Sequence, residues 1–231
     1  MILLDPLYTP EILTIYRTSG EVVSFTLFVL ALVAIINWKL FQGAFFFLFL
    51  NICVTALIDG GSLYLVRMGV RNTQWLSHLN IFQEALLLGF FYHQMIQNSV
   101  VKKSVLGVII LSCSLLVVNF FWKDGYLEIP TKSGLVEAMF FSVYAIVLHR
   151  QYVLDKRIDN VYRYAAFWFN LYVLISFVSN ILFYFIFNES ILQSNDLSMI
   201  FYTIKNGVGV LCFGFWIVGL LSLRKNAIRV A

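Results

Sequence analysis

The chain has 231 residues, of which 61% are hydrophobic and 12% are charged, with a formal net charge of +4. This composition is far more apolar than a soluble domain needs to fill one core, so it excludes an ordinary soluble protein and predicts an integral membrane protein. Residues 1–20 contain no cleavable signal-peptide pattern, so we expect the chain to insert through its own helices.

Apolar stretches that are long enough to cross a bilayer follow one another along the chain. A transmembrane helix needs about 17 to 25 predominantly apolar residues. By this criterion the sequence predicts a seven-transmembrane-helix bundle, all-α, with short connectors and no soluble domain. The predicted spans are residues 21–38, 43–66, 76–97, 104–122, 134–150, 164–187 and 199–222.

Lysines and arginines are divided unequally between the two sides of this predicted bundle. Cytoplasmic segments of membrane proteins retain positive charge, whereas acidic residues have little influence on orientation. One side has Lys39, Lys102, Lys103, Arg150, Lys156, Arg157, Arg163, Arg224, Lys225 and Arg229. The other side has only Arg17, Arg67, Arg71, Lys123 and Lys132. We therefore expect the N-terminus outside and the C-terminus in the cytoplasm.

Polar and charged residues within the predicted spans lie toward the outer ends of those spans. They come early in spans that run inward and late in spans that run outward, so they converge on the outer half of the membrane. This clustering predicts an outward-facing pocket for a small molecule; the alternative is a buried polar network that only stabilises helix packing. The residues are Asp59, Asn80, Glu84, Glu137, Asn180, Lys205 and Asn206.

Lys205 is the most unusual member of this set, because it lies several residues inside the seventh span. A lysine at the centre of a membrane helix costs about 3 kcal/mol on insertion scales. We therefore expect its side chain to have a partner, a water-filled cavity or a function. Glu84, Glu137 and Asp59 are candidate partners at a similar depth, and the sequence leaves open which of them it contacts. An anionic group of a ligand is the other possibility.

Glycines within the second and seventh spans have two interpretations. Gly60 and Gly61 directly follow Asp59, where they would either interrupt the helix and open its backbone to a ligand or allow close packing of a neighbouring helix. The same two interpretations apply to the glycines of the seventh span, Gly207, Gly209 and Gly214.

Sequence motifs for catalysis, metal binding or cofactor binding are absent. His78 lies near the predicted outer face, whereas His93 and His149 lie near the inner one, so these three cannot share a metal ion. The three cysteines each lie within an apolar run without metal-ligand spacing and are predicted to be small core residues. We expect no catalytic residue, no metal, no cofactor and no nucleic-acid partner, and a protein that is not an enzyme.

Two other functional classes remain as alternatives to a receptor. Microbial rhodopsins carry retinal on a lysine of their last span opposite a carboxylate of the third, and Lys205 and Glu84 match that plan in helix number. They depart from it in detail, since Lys205 lies close to the outer boundary of its span. A small-solute transporter or channel is the second alternative, but the polar residues stop halfway across the membrane, which favours a receptor over a conduit.

Three segments resemble a large, poorly characterised family of small bacterial seven-helix membrane proteins: GLVEAMFFSVYAIVLHRQYVL, FWFNLYVLISFVSNILFYFIF and FYTIKNGVGVLCFGFWIVGLL. Members of that family carry Glu early in spans three and five, a sixth span that begins with Phe-Trp and ends in Ser-Asn, and an Asn early in span seven. The matching positions here are Glu84, Glu137, Phe167, Trp168, Ser179, Asn180 and Asn206. Lys205 is not part of that pattern.

The resemblance implies a location and a partner. Members of the family are often encoded near sensor histidine kinases, so it implies a multi-pass protein of the bacterial cytoplasmic (inner) membrane that acts as a receptor-like sensor or signalling subunit. The longest inner connector, from His149 to Tyr164, mixes basic, acidic and apolar residues, as expected of a loop to which a kinase docks. An ordinary positively charged loop lying on the anionic lipid of the bilayer would have the same composition.

Overall fold

A computed structural model of the chain describes residues 9–70, 72–121, 131–155, 160–193 and 195–230. Within these residues the protein is all-helical, with seven α-helices, two short 3-10 helices and no strand. The predictions made for Arg71, Lys123, Lys156 and Arg157 lie outside the described residues. The helices are α1 (Pro10–Ile36), α2 (Phe45–Arg67), α3 (Gln74–Met95), α4 (Ser99–Phe121), α5 (Thr131–Leu154), α6 (Ala165–Gln193) and α7 (Asn195–Val230).

Six of the seven helices, all but α3, are long and apolar enough to cross a membrane. Their outward faces carry large apolar side chains that would be costly to leave in water, such as Phe25 on α1, Leu57 on α2 and Leu211 on α7, which are 70%, 75% and 74% exposed. A bundle that is apolar on its outside as well as in its core is suited to lipid. The length and apolar character of these helices support the prediction of a multi-pass membrane protein.

The first helix is longer than the span predicted for it. It begins at Pro10 rather than near residue 21, and proline is favoured at the first position of a helix because its missing N–H would have no partner there. Thr9, just before it, donates from both its backbone N–H and its hydroxyl to the carboxylate of Asp196, at 3.1 Å and 2.6 Å. The start of α1 is therefore attached to the start of α7.

Helix α2 ends in a glycine-dependent turn that returns the chain toward α3. Gly69 has φ +85°, in the left-handed region that glycine adopts without steric cost. Its N–H bonds to the carbonyl of Val66, and that of Val70 bonds to the carbonyl of Leu65, both at 3.0 Å. These two bonds satisfy carbonyls at the end of the helix, which is the pattern of a Schellman cap.

The five glycines of α2 and α7 for which two interpretations were given above fit neither of them. Helix α2 continues without interruption through Gly60 and Gly61, so the backbone is not opened there. A methyl group placed on either would also meet nothing within 4 Å, and the same holds for the three glycines predicted in the seventh span, Gly207, Gly209 and Gly214. Close helix packing instead occurs at Gly219, where a methyl group would lie 2.9 Å from the Phe169 ring of α6.

The helices pack into a closed ring around one core. Helix α1 packs against α2 and α7, α6 packs against α5 and α7, and α3 packs against α2, α4 and α5. Fully buried aromatic side chains fill the end of the bundle where α2 and α6 begin and α3 and α7 end. They include Phe91, Phe169 and Trp216, which are 0%, 0% and 2% exposed.

Candidate functional site

A cavity of about 390 Å³ lies in the half of the bundle where α3 and α7 begin. Its walls come from α1, α2, α3, α6 and α7. The structure brings six of the seven residues predicted for the pocket to this one cavity: Asp59, Asn80, Glu84, Asn180, Lys205 and Asn206. All six are partly buried rather than sealed in the core, so their side chains line the space instead of being packed away from it.

Glu137, the seventh predicted residue, does not line the cavity. It lies on α5, which contributes no side chain to the wall, and is only 2% exposed. Its Oε1 atom has no hydrogen-bond partner among the described residues. This carboxyl group is therefore buried behind the site rather than within it.

A chain of amide side chains holds the carboxylate of Glu84 in place. The Asn80 amide, one turn earlier on α3, donates to Glu84 Oε1 at 3.1 Å. Gln83 donates to the Asn80 oxygen at 3.1 Å and to the Thr55 hydroxyl of α2 at 2.8 Å. Asn51 of α2 completes the chain by donating to Gln83 at 3.3 Å. The network joins α2 to α3 and orients Asn80 and Glu84 at the cavity wall.

Two serines of α1 hold the polar side chains of its two neighbours. Ser24 donates a hydrogen bond to the carboxylate of Asp59 on α2. Asn206 of α7 donates to the hydroxyl of Ser19 at 3.0 Å. Helix α1 therefore supplies a hydrogen-bond partner to one cavity side chain on α2 and to one on α7, although none of its own residues was predicted to belong to the site.

Lys205 is surrounded by aromatic rings rather than paired with a carboxylate. Its ammonium nitrogen lies 4.4 Å from the centre of the Phe183 ring, 5.8 Å from that of Tyr184 and 5.9 Å from that of Tyr202. Among the described residues no carboxylate lies within 4.0 Å of it, and the one ion pair found there joins Arg67 to Glu21 at the surface. Of the three predicted partners, Glu84 interacts with it only at longer range.

These three rings, which we call the aromatic cage, were not predicted from the sequence. The ammonium group is attracted to the electron-rich faces of the rings, and such contacts contribute about 0.5 to 2 kcal/mol. The rings also pack on one another, with the centres of Phe183 and Tyr202 separated by 4.7 Å. The one signal in the sequence was that Phe183, Tyr184 and Tyr202 lie near the same depth as Lys205 on adjacent helices.

The opposite half of the bundle is filled by aromatic side chains that pack against one another. The Trp216 ring lies 5.8 Å from that of Phe41 and 5.4 Å from that of Phe169, and Phe45 lies 5.8 Å from Phe169. We call this set, Phe41, Phe45, Phe169 and Trp216, the aromatic layer. It lies between the cavity and the end of the bundle that was predicted to be cytoplasmic.

A second, smaller polar cluster lies beyond the cavity at the closed end. Tyr92 donates to the Asn170 side chain at 2.9 Å, and Asn170 donates to the backbone carbonyl of Ala145 at 2.8 Å. Asn170 is also 3.3 Å from a ring nitrogen of His149, which belongs to α5 rather than to a loop. These groups satisfy one another's hydrogen-bonding capacity, as the members of a structural network do. In the part of the chain that is described, no set of side chains is placed to hold a metal ion.

Comparison of the chain with known protein families, with curated proteins and with solved structures found no match in any of the three.

Proposed function

We propose that this protein is a receptor-like membrane sensor that binds a small molecule in the cavity around Lys205. The observation that carries the proposal is the division of the bundle into a polar cavity in one half and the aromatic layer in the other. A conduit needs polar groups along its whole length. A receptor needs only one accessible site and a packed remainder that responds to its occupation.

The proposal includes seven membrane spans with the N-terminus outside. Helix α3 falls short of the apolar character of the other six because it carries polar side chains that build the cavity. Asn80 and Glu84 line the cavity, and Gln83 holds Asn80 by a hydrogen bond. The helix has 22 residues, about 33 Å of helix at 1.5 Å per residue, which spans a hydrocarbon core of about 30 Å. With this topology the cavity faces the outside of the cell.

We further propose that the signal passes to a kinase at the opposite, cytoplasmic end, as the family resemblance implied. Exposed apolar side chains near the end of α5 and in the following connector support a protein contact there, since Val153, Leu154 and Tyr162 are 63%, 63% and 62% exposed. Purification from the source membrane in mild detergent would recover a kinase in stoichiometric amount; a lone protein would contradict this part of the proposal.

The accessibility of the cavity is testable with single cysteines in a chain whose Cys53, Cys113 and Cys212 are replaced by alanine. Asn180→Cys places a thiol on the cavity wall. Leu182→Cys is the matched control on the same helix, because Leu182 is 59% exposed on the lipid-facing surface. We expect a charged, membrane-impermeant thiol reagent to label the first variant from the outside only and to leave the second unlabelled.

The same experiment separates the receptor from the transporter. Labelling of Asn180→Cys at similar rates from both sides of the membrane would contradict a one-sided receptor and favour a conduit. Absence of labelling from either side would mean that water does not reach the cavity, and the polar residues would then form a structural network.

A further inference from the structure

Opposite charges occupy different walls of the cavity without pairing. The carboxylate of Asp59 lies on the wall formed by α1 and α2, where it accepts a hydrogen bond from Ser24. The ammonium group of Lys205 lies on the wall formed by α6 and α7, within the aromatic cage. Within the described chain neither group has an ion-pair partner within 4.0 Å.

The charge of Lys205 is only partly compensated by its surroundings. Aromatic rings attract the ammonium group but accept none of its N–H donors, and no hydrogen bond from it to a described residue is found. Glu84, which acts on it only at longer range, already accepts a hydrogen bond from Asn80. Since a charge in a region of low dielectric constant gains most from a directly contacting opposite charge, Lys205 is suited to an anionic group of a ligand.

The carboxylate of Asp59 likewise lacks a directly contacting opposite charge. A single hydroxyl donor from Ser24 leaves most of the acceptor capacity of the carboxylate unused. A ligand that carried only an anion would leave Asp59 uncompensated, and one that carried only a cation would leave Lys205 uncompensated and be repelled by it. A molecule with both charges satisfies the two walls together.

The apolar side chains in the lining indicate what the body of such a molecule is. Rings and alkyl groups form the apolar part of the lining, among them Leu27 of α1 and Tyr172 and Phe177 of α6. Helix α3 adds the polar side chains Asn80 and Glu84, which are hydrogen-bonded to each other. Its volume, about 390 Å³, lies at the small end of the range of ligand sites, about 300 to 1,000 Å³. The space therefore suits a small molecule with an apolar body.

Building on the proposed ligand-binding function, we propose that the ligand is a small zwitterion with an apolar side chain. Its ammonium group binds Asp59 and its carboxylate binds Lys205. An amino acid with an aromatic or branched aliphatic side chain has this chemistry. Asn206, adjacent to Lys205 on α7, donates a hydrogen bond to Ser19 of α1, so it lies where the two charged walls meet and orients the ligand there.

The test compares molecules that share one apolar body and differ only in charge. Phenylalanine has both charges, 2-phenylethylamine lacks the carboxylate, and 3-phenylpropionate lacks the ammonium group; leucine with its amine and acid counterparts forms a second series. Binding to the purified full chain in nanodiscs is measured by titration calorimetry. Since a hydrogen bond to a charged group contributes about 1.5 to 3 kcal/mol, we expect loss of either charge to weaken binding by about 10- to 150-fold.

Two variants test which residue of the cavity binds which charged group of the ligand. Lys205→Met should abolish the preference for phenylalanine over 2-phenylethylamine, and Asp59→Asn should abolish the preference for phenylalanine over 3-phenylpropionate. The matched controls are Arg67→Gln and Glu21→Gln, which remove the same charges from the exposed pair outside the cavity, whose side chains are 72% and 61% exposed. Both controls should keep the preferences of the unaltered chain.

Several results would overturn the inference. They are failure of both zwitterions to bind, equal binding by a singly charged analogue, and preferences that survive in Lys205→Met or Asp59→Asn. If Asn180→Cys is labelled from outside in the accessibility test while both zwitterions fail, the cavity binds another class of ligand and only the present inference is wrong. If Asn180→Cys is also unreactive, the proposed function fails with it.

Discussion

At the scale of single residues, two energies of opposite sign act on the ammonium group of Lys205. A lysine costs about 3 kcal/mol at the centre of a membrane helix and less near its boundary, where Lys205 lies, whereas contacts with the aromatic cage contribute about 0.5 to 2 kcal/mol. The remainder is unfavourable, because the described part of the chain provides no ion pair. We therefore expect Lys205→Met to raise the free energy of unfolding by about 1 kcal/mol, measured by thermal unfolding in detergent, although it removes a ligand contact.

The cage itself can be checked by a double-mutant cycle. Phe183→Leu should destabilise the unaltered chain more than it destabilises Lys205→Met, because the second background has no ammonium group for the ring to contact. Destabilisation by several kcal/mol from Lys205→Met alone would show instead that the lysine is paired with a carboxylate, as one of the sequence-based alternatives held.

Which residues share the cavity could be predicted in part, because depth follows from position along a helix. Six of the seven predicted side chains line it. The rotation of each helix about its own axis could not be predicted, because apolar residues occur on every face of each span. This is why Glu137 was placed in the pocket, and why nothing distinguished Phe183, at 5% exposure inside the bundle, from Phe185, at 58% on the lipid-facing side.

At the scale of helices, the closest described approach of α6 and α7 at a glycine occurs at Gly219. A methyl group there would lie 2.9 to 3.0 Å from three atoms of the Phe169 ring, which is fully buried and cannot move freely. We expect Gly219→Ala to lower the free energy of unfolding by about 1 to 3 kcal/mol, the usual cost of overpacking. Thermal unfolding followed by circular dichroism would measure it.

The same helix offers a control for this substitution. A methyl group at Gly214 meets nothing within 4 Å, so Gly214→Ala should be neutral or stabilising by up to about 1 kcal/mol, the difference in helix propensity. Equal effects at the two positions would mean that the Phe169 ring does not pack against Gly219. From the sequence these glycines could not be told apart, because their neighbours are apolar on every side.

At the scale of the whole molecule, the bundle joins a polar half to an aromatic half. The polar half is held by side-chain hydrogen bonds that link α1 to α2 and α7, and α2 to α3. The aromatic half is held by interlocking rings. A ligand that draws Asp59 and Lys205 toward each other would therefore move the helices of the first half against a more rigid second half, and occupation of the cavity would in this way affect the opposite end of the bundle.

The proposed receptor requires α3 to cross the membrane, although α3 is the one helix of the seven that is not among those long and apolar enough to span it. If it crosses, residues before and after it lie on opposite sides of the membrane. With the N-terminus outside, as proposed, Met68 at the end of α2 faces outside, whereas Gln97 after α3 and Tyr162 after α5 face the cytoplasm. All three are exposed. We expect an impermeant thiol reagent to label Met68→Cys in intact cells, and Gln97→Cys and Tyr162→Cys only after the membrane is opened.

A bundle in which α3 does not cross gives a different pattern. Met68, Gln97 and Tyr162 would then lie on one side, because the two crossings by α4 and α5 return the chain to the side where it started. Common labelling of all three positions would therefore contradict the seven-span topology. Opposite labelling of Met68→Cys and Gln97→Cys would place Asn80 and Glu84 within the membrane, where exclusion of bulk water strengthens the attraction between the cavity and a charged ligand.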